Sequence, residues 1–332
     1  MSTLKTVSYI SLAVLSLGLT ACQKQDEPKQ TTSAHSDTAE PVKNIAIGFQ
    51  KSAANFLVAR QQKLIEKQFP QTKIEWKDFP AGPQLLEALS VGAVDFGVVG
   101  NTPPIFAQAS GKDLSYMGYE IQPTVNQAII IHKDSPIKNI QDLKGKRIAL
   151  QKGSNMHEFL ANVLNKAGLK WSDIQPIWLP PADAGAAFDK NSVDAWAIWE
   201  PNLTTAIEKT QAKILIDGQV FPKTYLYYVA YPTFAKTHPD AIEKVIKSLN
   251  EADEWIIQHP DEALKIYVES TGLDKNIAQT VLNKRLKPST VYPINEEVIK
   301  SQQKIADLFY SEKLLPKQIN IQDAVLTNES TN

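Results

Sequence analysis

Val94-Asp95-Phe96-Gly97-Val98-Val99 runs directly into Gly100-Asn101-Thr102-Pro103-Pro104. The first six residues are a short apolar run bounded by turn formers, which reads as a strand. The next five turn the chain and start a helix, where proline is pre-organised and lacks the N–H that would have no partner. The unit recurs. Ile45-Ala46-Ile47 leads into Gly48-Phe49-Gln50-Lys51-Ser52, and Ile74-Glu75-Trp76 into Asp78-Phe79-Pro80-Ala81-Gly82-Pro83-Gln84. Arg147-Ile148-Ala149-Leu150 leads into Gln151-Lys152-Gly153-Ser154-Asn155, and Val193-Asp194-Ala195-Trp196-Ala197-Ile198 into Trp199-Glu200-Pro201. Strands that alternate with helices predict an α/β fold with a largely parallel sheet. Ligands of such sheets lie beyond the carboxyl ends of the strands. The unpaired N–H groups of helix N-termini favour a negative charge there.

Helical patterns cover residues 53–68, 84–90, 155–167, 203–210, 239–259, 261–270, 275–285 and 295–312. Gly168 and Gly272 read as C-cap glycines. The extended runs 125–131 and 225–230 are separated by about one hundred residues, the size of an inserted domain. The expected architecture is therefore two lobes joined by a two-strand hinge, with a ligand cleft between them. Lobe I takes residues 43–124 and 230–325, lobe II residues 125–229, and 326–332 form a disordered tail.

The chain of 332 residues carries a formal net charge of −1 and a single cysteine, Cys22. The charge leaves no basic footprint for nucleic acid, and one cysteine excludes an intramolecular disulfide. Residues 1–21 read as a signal peptide: Lys5 precedes an apolar stretch too short to span a bilayer. Leu19-Thr20-Ala21-Cys22 resembles a bacterial lipobox, which implies that Cys22 is lipidated; an ordinary signal peptide with an incidental cysteine is the alternative. Residues 22–42 have almost nothing to bury and read as a disordered tether. Membrane attachment is expected through the lipid alone, in the periplasm or cell envelope.

Several residues are candidates for the ligand site. Gly153 lets backbone approach a ligand, and Ser154 or Asn155 can cap the following helix or meet an anion. Asn101 and Thr102 offer an amide and a hydroxyl, with a simple capped turn as the alternative. Trp196 or Trp199 can wall an apolar tail, or pack in the core. Glu200 orients a donor in the cleft or forms a surface pair. His157, in the first turn of its helix, is placed near the ligand. No enzyme is expected: the five histidines, His35, His132, His157, His238 and His259, show no metal-ligand spacing, and no phosphate-loop or dinucleotide fingerprint occurs. Neither cofactor nor metal is expected.

Phe79-Pro80-Ala81-Gly82-Pro83-Gln84, Pro103-Pro104-Ile105-Phe106-Ala107-Gln108-Ala109, Gln151-Lys152-Gly153-Ser154 and Val193-Asp194-Ala195-Trp196-Ala197-Ile198-Trp199 together resemble the aliphatic sulfonate-binding proteins of bacterial ABC importers. Ser135-Pro136-Ile137-Lys138, Asp142-Leu143-Lys144-Gly145 and Pro181-Ala182-Asp183-Ala184 extend the similarity over residues 44–323. The resemblance implies a type II periplasmic binding fold and a monomeric receptor that delivers an alkanesulfonate to an ABC permease and its ATPase. It implies donors at Ser154, Asn155 and Thr102, Gln84 nearby, and Trp196 or Trp199 against the alkyl part; Ser52 and Asn101 belong to the same loops. The chain departs from the family pattern at Ser52, Asn101, Asn155 and Glu200. Receptors for taurine, nitrate, sulfate esters or pyrimidine precursors, and enzymes on the same fold, are the competing readings.

Overall fold

Ten strands form two five-stranded sheets in a computed structural model that describes residues 42–326. In chain order they are β1 (Asn44–Phe49), β2 (Lys73–Asp78), β3 (Phe96–Val99), β4 (Ser115–Gln122), β5 (Gln127–Ile131), β6 (Arg147–Leu150), β7 (Gln175–Trp178), β8 (Ala195–Trp199), β9 (Lys213–Asp217) and β10 (Thr224–Ala230). The helices are α1 (Ala54–Gln61), α2 (Leu64–Gln68), α3 (Gly82–Ser90), α4 (Thr102–Ala109), α5 (Asn155–Ala167), α6 (Pro181–Asp189), α7 (Asn202–Thr210), α8 (Pro232–Thr237), α9 (Pro239–Gln258), α10 (Pro260–Thr271), α11 (Lys275–Asn283) and α12 (Glu296–Ser311).

The first sheet has the order β2-β1-β3-β10-β4 and the second β7-β6-β8-β5-β9. In each, three parallel strands are followed by one antiparallel strand, β10 or β5, and then an outer strand that pairs with it. The two lobes thus repeat one arrangement. A shared detail explains the recurring Val-Asp. Asp95 Oδ2 accepts the Ala46 N–H of β1 at 2.8 Å, and Asp194 Oδ2 accepts the Arg147 N–H of β6 at 2.8 Å. Each aspartate stands just before the third strand of its sheet's order and fastens it to the second.

β1, β3, β5 and β8 are buried almost throughout, as expected of strands with helices on both faces. Leu57, Val245, Leu249 and Tyr267 pack the α1, α9 and α10 layer on one face of the first sheet. Leu85, Ile105 and Phe309 fill the other. The second lobe closes over Ile129, Leu160, Phe188 and Ile198.

The structure shifts three expectations. The helix expected over 53–68 is broken: Lys63 is left-handed (φ 53°), which turns α2 so that Leu64 and Ile65 bury in the core beside α9. Helices α6 and α8 were not expected, although Pro181 and Pro232 mark their first positions. Finally, β10 lies inside the first sheet, so the boundary expected at 229/230 falls between β9 and β10 instead. The crossings are short 3-10 turns rather than strands: Thr124–Asn126 on the way out and Gly218–Val220 on the way back. They touch, since a Cβ added to Gly218 would lie 2.3 Å from the Thr124 carbonyl oxygen. The expected signal peptide, Cys22 and nearly all of the tether lie outside the described residues, as does the tail from 327.

Candidate functional site

The carboxyl ends of β1, β3, β4 and β8 and the loop after β6 surround one cleft between the lobes, enclosing a volume of about 80 Å³. Its first-lobe wall includes Ser52, Asn55, Gly82, Gly100 and Pro103; its second-lobe wall is Ser154, Asn155, Trp199 and Glu200. Gln122, Pro123 and Asn126 close the end at the crossing. α1, α3 and α4 all begin on this cleft, and among the described residues none has a side-chain N-cap hydrogen bond. Helix-opening N–H groups have no partner inside the helix. Pro83 in α3 and Pro103 and Pro104 in α4 carry no N–H, so these three ends leave few free donors, and it is those few together with the helix dipoles that make the cleft receptive to an anion.

Of the residues expected from sequence, Ser52, Ser154, Asn155, Trp199 and Glu200 line this cleft. Ser154 Oγ donates to the Gln151 carbonyl at 2.8 Å and accepts the Met156 N–H at 3.2 Å, so it is the α5 N-cap. Asn155 Nδ2 donates to Gln127 Oε1 at 3.1 Å.

The other expected residues lie elsewhere. Thr102 is fully buried and its hydroxyl donates to Asn101 Oδ1 at 3.0 Å. Asn101 Nδ2 donates to Thr224 Oγ1 at 3.0 Å, and the residue faces a separate groove beside Glu158. Both serve the turn rather than the cleft. Gln84 and Gly153 border an outer groove with Pro83, Phe106 and Lys152. Trp196 points into the second-lobe core, against Phe188 and Gly185, because strand alternation sends it to the face opposite Trp199.

His157 is also away from the cleft. Its ring stacks on Phe106 at 5.3 Å and meets Phe309, Trp171 and Trp178 at 5.3, 4.8 and 5.0 Å. Phe106 and Phe309 come from the first lobe, so this aromatic cluster bridges the two. Burial first, and then the charge of Lys152, lowers the His157 pKa to about 3. The neighbouring Glu158 is half-buried on that groove between Asn101 and Asn162, and desolvation of its carboxyl raises its pKa to about 7.

Sequence reasoning missed the polar network on the first-lobe side. Glu120 accepts from the hydroxyls of Tyr228 and Ser289, and Tyr228 also receives Asn55 Nδ2 at 3.0 Å. Arg285 pairs with the buried Asp253, and its charge acts on Glu120. Burial nevertheless pushes the Glu120 carboxyl above its usual range. Glu200 accepts from Thr204 and from Lys284 at 2.5 Å, an ion pair that joins the lobes. The basic pair Lys284-Arg285 at the end of α11 was the available signal, in a segment read only as scaffold. Among the described residues no group of three His, Cys, Asp or Glu is placed to hold a metal ion, and no helix is long and apolar enough to cross a membrane.

A protein of Escherichia coli (strain K12) named for binding aliphatic sulfonates is 41% identical over 281 residues, covering 85% of this chain and 88% of its own. The chain belongs to the aliphatic sulfonate-binding protein family. The NMT1/THI5-like family model also matches residues 78–263. The alkanesulfonate-binding protein SsuA of Xanthomonas axonopodis pv. citri, solved bound to MOPS, superposes with a TM-score of 0.83 at 40% identity; 85% of this chain and 98% of that one are covered. The periplasmic aliphatic sulphonate binding protein SsuA of Escherichia coli gives 0.79 at 40% identity, over 86% and 92% of the two chains. The two sheets described above are therefore the two lobes of a periplasmic binding fold. As a member of this family the chain is a binding protein, not an enzyme.

Proposed function

We propose that the protein is the solute-binding receptor of an ABC importer, capturing aliphatic sulfonates and handing them to a membrane permease. One observation supports this above others: three helix N-termini without side-chain caps open onto an enclosed cleft between two lobes. A sulfonate stays ionised at any physiological pH, and such N-termini suit it. Family membership supports the same ligand class. In this reading the head lies against the starts of α1, α3 and α4 and the Ser52 hydroxyl, with Ser154 and Asn155 closing from the second lobe. The Trp199 indole takes the alkyl part. The receptor is monomeric, periplasmic and held to the membrane by a lipid on Cys22, which mass spectrometry of the mature N-terminus tests.

Isothermal calorimetry with a panel of alkanesulfonates and the matching alkyl amines tests the function. Heat is expected from sulfonates and not from amines. Absence of binding by every sulfonate in the panel refutes the assignment.

A further inference from the structure

We propose that Gln122 and Asn126 bind the head group, their side-chain amide nitrogens donating to oxygens of the sulfonate. This deepens the sulfonate reading and rests on it.

A sulfonate drawn out of water exchanges the hydrogen bonds of its acceptor oxygens for whatever donors the cleft holds, and acceptors left without donors cost affinity. The helix ends alone supply few. α3 and α4 carry proline in their first turns, where an N–H is missing. Other polar side chains along the cleft are committed elsewhere. Asn155 Nδ2 donates to Gln127 Oε1, and Asn55 Nδ2 to the Tyr228 hydroxyl. The Glu120 and Glu200 carboxylates accept from hydroxyls and from Lys284, and Arg285 is bonded to Asp253.

Two side-chain amides are not committed. Gln122 ends β4, Asn126 ends the 3-10 turn that follows, and both line the cleft. In each amide the oxygen is shut away from solvent and the nitrogen is the open atom; neither nitrogen has a hydrogen-bond partner among the described residues. Gln122 is otherwise enclosed, at 7% exposure, and its strand is held in the first lobe by pairing with β10. Asn126 is held from the second lobe, where its carbonyl accepts the Glu200 N–H at 3.0 Å. The crossing thus presents free N–H donors from both of its sides to a cleft of about 80 Å³. A bond from such a donor to an ionised oxygen is stronger than one between neutral groups.

Calorimetry on the whole mature protein measures ethanesulfonate and butanesulfonate against Gln122→Leu, Gln122→Glu, Asn126→Leu and Asn126→Asp. Thermal unfolding without ligand checks that each variant is folded, and each residue is judged by whichever of its variants fold. The leucine variants are each expected to weaken both sulfonates by about tenfold or more, equally for the two chain lengths, because the lost donors serve the head. The carboxylate variants keep the shape, remove the donor and turn a negative charge on the anion, so they are expected to weaken binding further. Carboxylate variants that bind as tightly as the unaltered protein, or leucine variants within about twofold of it, overturn the proposal, since the amides then face away from the head. A loss confined to butanesulfonate overturns it too, because it places the amides against the chain. If neither sulfonate binds the unaltered protein, the sulfonate reading fails and the proposal with it; if the unaltered protein and the variants bind alike, the proposal alone fails.

Discussion

Replacing His157 with phenylalanine should make the protein resist acid. The ring sits among Phe106, Phe309, Trp171 and Trp178, and its Nε2 is buried without a partner among the described residues. Its Nδ1 receives only a long bond from the Gly153 N–H at 3.4 Å. Charging this ring places a cation in an apolar cluster, so its pKa falls from 6.5 to about 3. The unfolded chain then binds a proton that the folded chain refuses. The stability involved is fully present above pH 6.5 and is lost as pH falls from there toward 3. Each unit of pH in that window is worth about 1.4 kcal/mol, so the loss between pH 6.5 and 4.5 is about 2 kcal/mol. That is a large share of a total of roughly 5–15 kcal/mol. Glu158 acts in the opposite direction over part of the range, so the informative quantity is the difference between variant and wild type. Urea unfolding at pH 7.5, 6.5, 5.5 and 4.5 supplies it. His157→Phe keeps the aromatic packing and should gain on the wild type by about 2 kcal/mol over the last two units. A difference that stays constant with pH would refute the burial argument and mean that the ring is hydrated or charged in the folded protein.

Glu158→Gln should show the reverse pH dependence. Its carboxyl is raised from 4.5 to about 7, so the wild type is favoured below 4.5 and loses stability as pH rises to about 7. The glutamine variant should therefore be more stable at pH 8 by up to about 3 kcal/mol, the gap closing as pH falls, and equal unfolding midpoints at pH 8 would count against this. Ser154→Ala should cost about 1 kcal/mol of stability through the lost cap. It should change ligand affinity by about 0.5 kcal/mol or less, since the hydroxyl proton is already given to Gln151; a tenfold loss of affinity would show that the hydroxyl turns to the ligand. Trp199→Ala should penalise longer alkanesulfonates more than shorter ones, by up to about 0.8 kcal/mol per methylene the indole covers. Equal losses along a chain-length series would remove the indole from the tail site.

The loops were legible because their chemistry is local. Gly, Pro and small polar residues after an apolar run say where strands end, and both sheets end where those loops predict. Which side chain of a loop faces the ligand is not local. Asn101 and Thr102 looked as suitable as Ser52, but Asn101 bonds Thr224, more than a hundred residues away, and Thr102 bonds Asn101. Trp196 and Trp199 were offered as alternatives; three residues apart on β8 they fall on opposite faces, and alternation alone could have separated them. Arg285 and Glu120 were out of reach for another reason. Their meeting depends on α11 folding back against the end of the first sheet. The place of β10 was hidden in the same way: its apolar run names a strand but not its neighbours, and only pairing with β3 and β4 assigns it to the first lobe.

The contact between Gly218 and Thr124 brings the two crossings to one point, so a rotation of one lobe on the other would turn about a single axle. A side chain at 218 would act as a wedge, and the bare backbone there keeps the turning point narrow. Rotation about such an axle displaces a residue in proportion to its distance from it. Gln122, Pro123 and Asn126 stand beside the crossings, so a rotation about them would displace these residues little. Ser52 and Ser154 belong to separate lobes, so the same rotation would change the distance between them. One part of the cleft would therefore hold its shape while the other opened. A molecule entering such an opened cleft would meet the part beside the crossings first, and its fit there would decide whether bringing the lobes together is favourable.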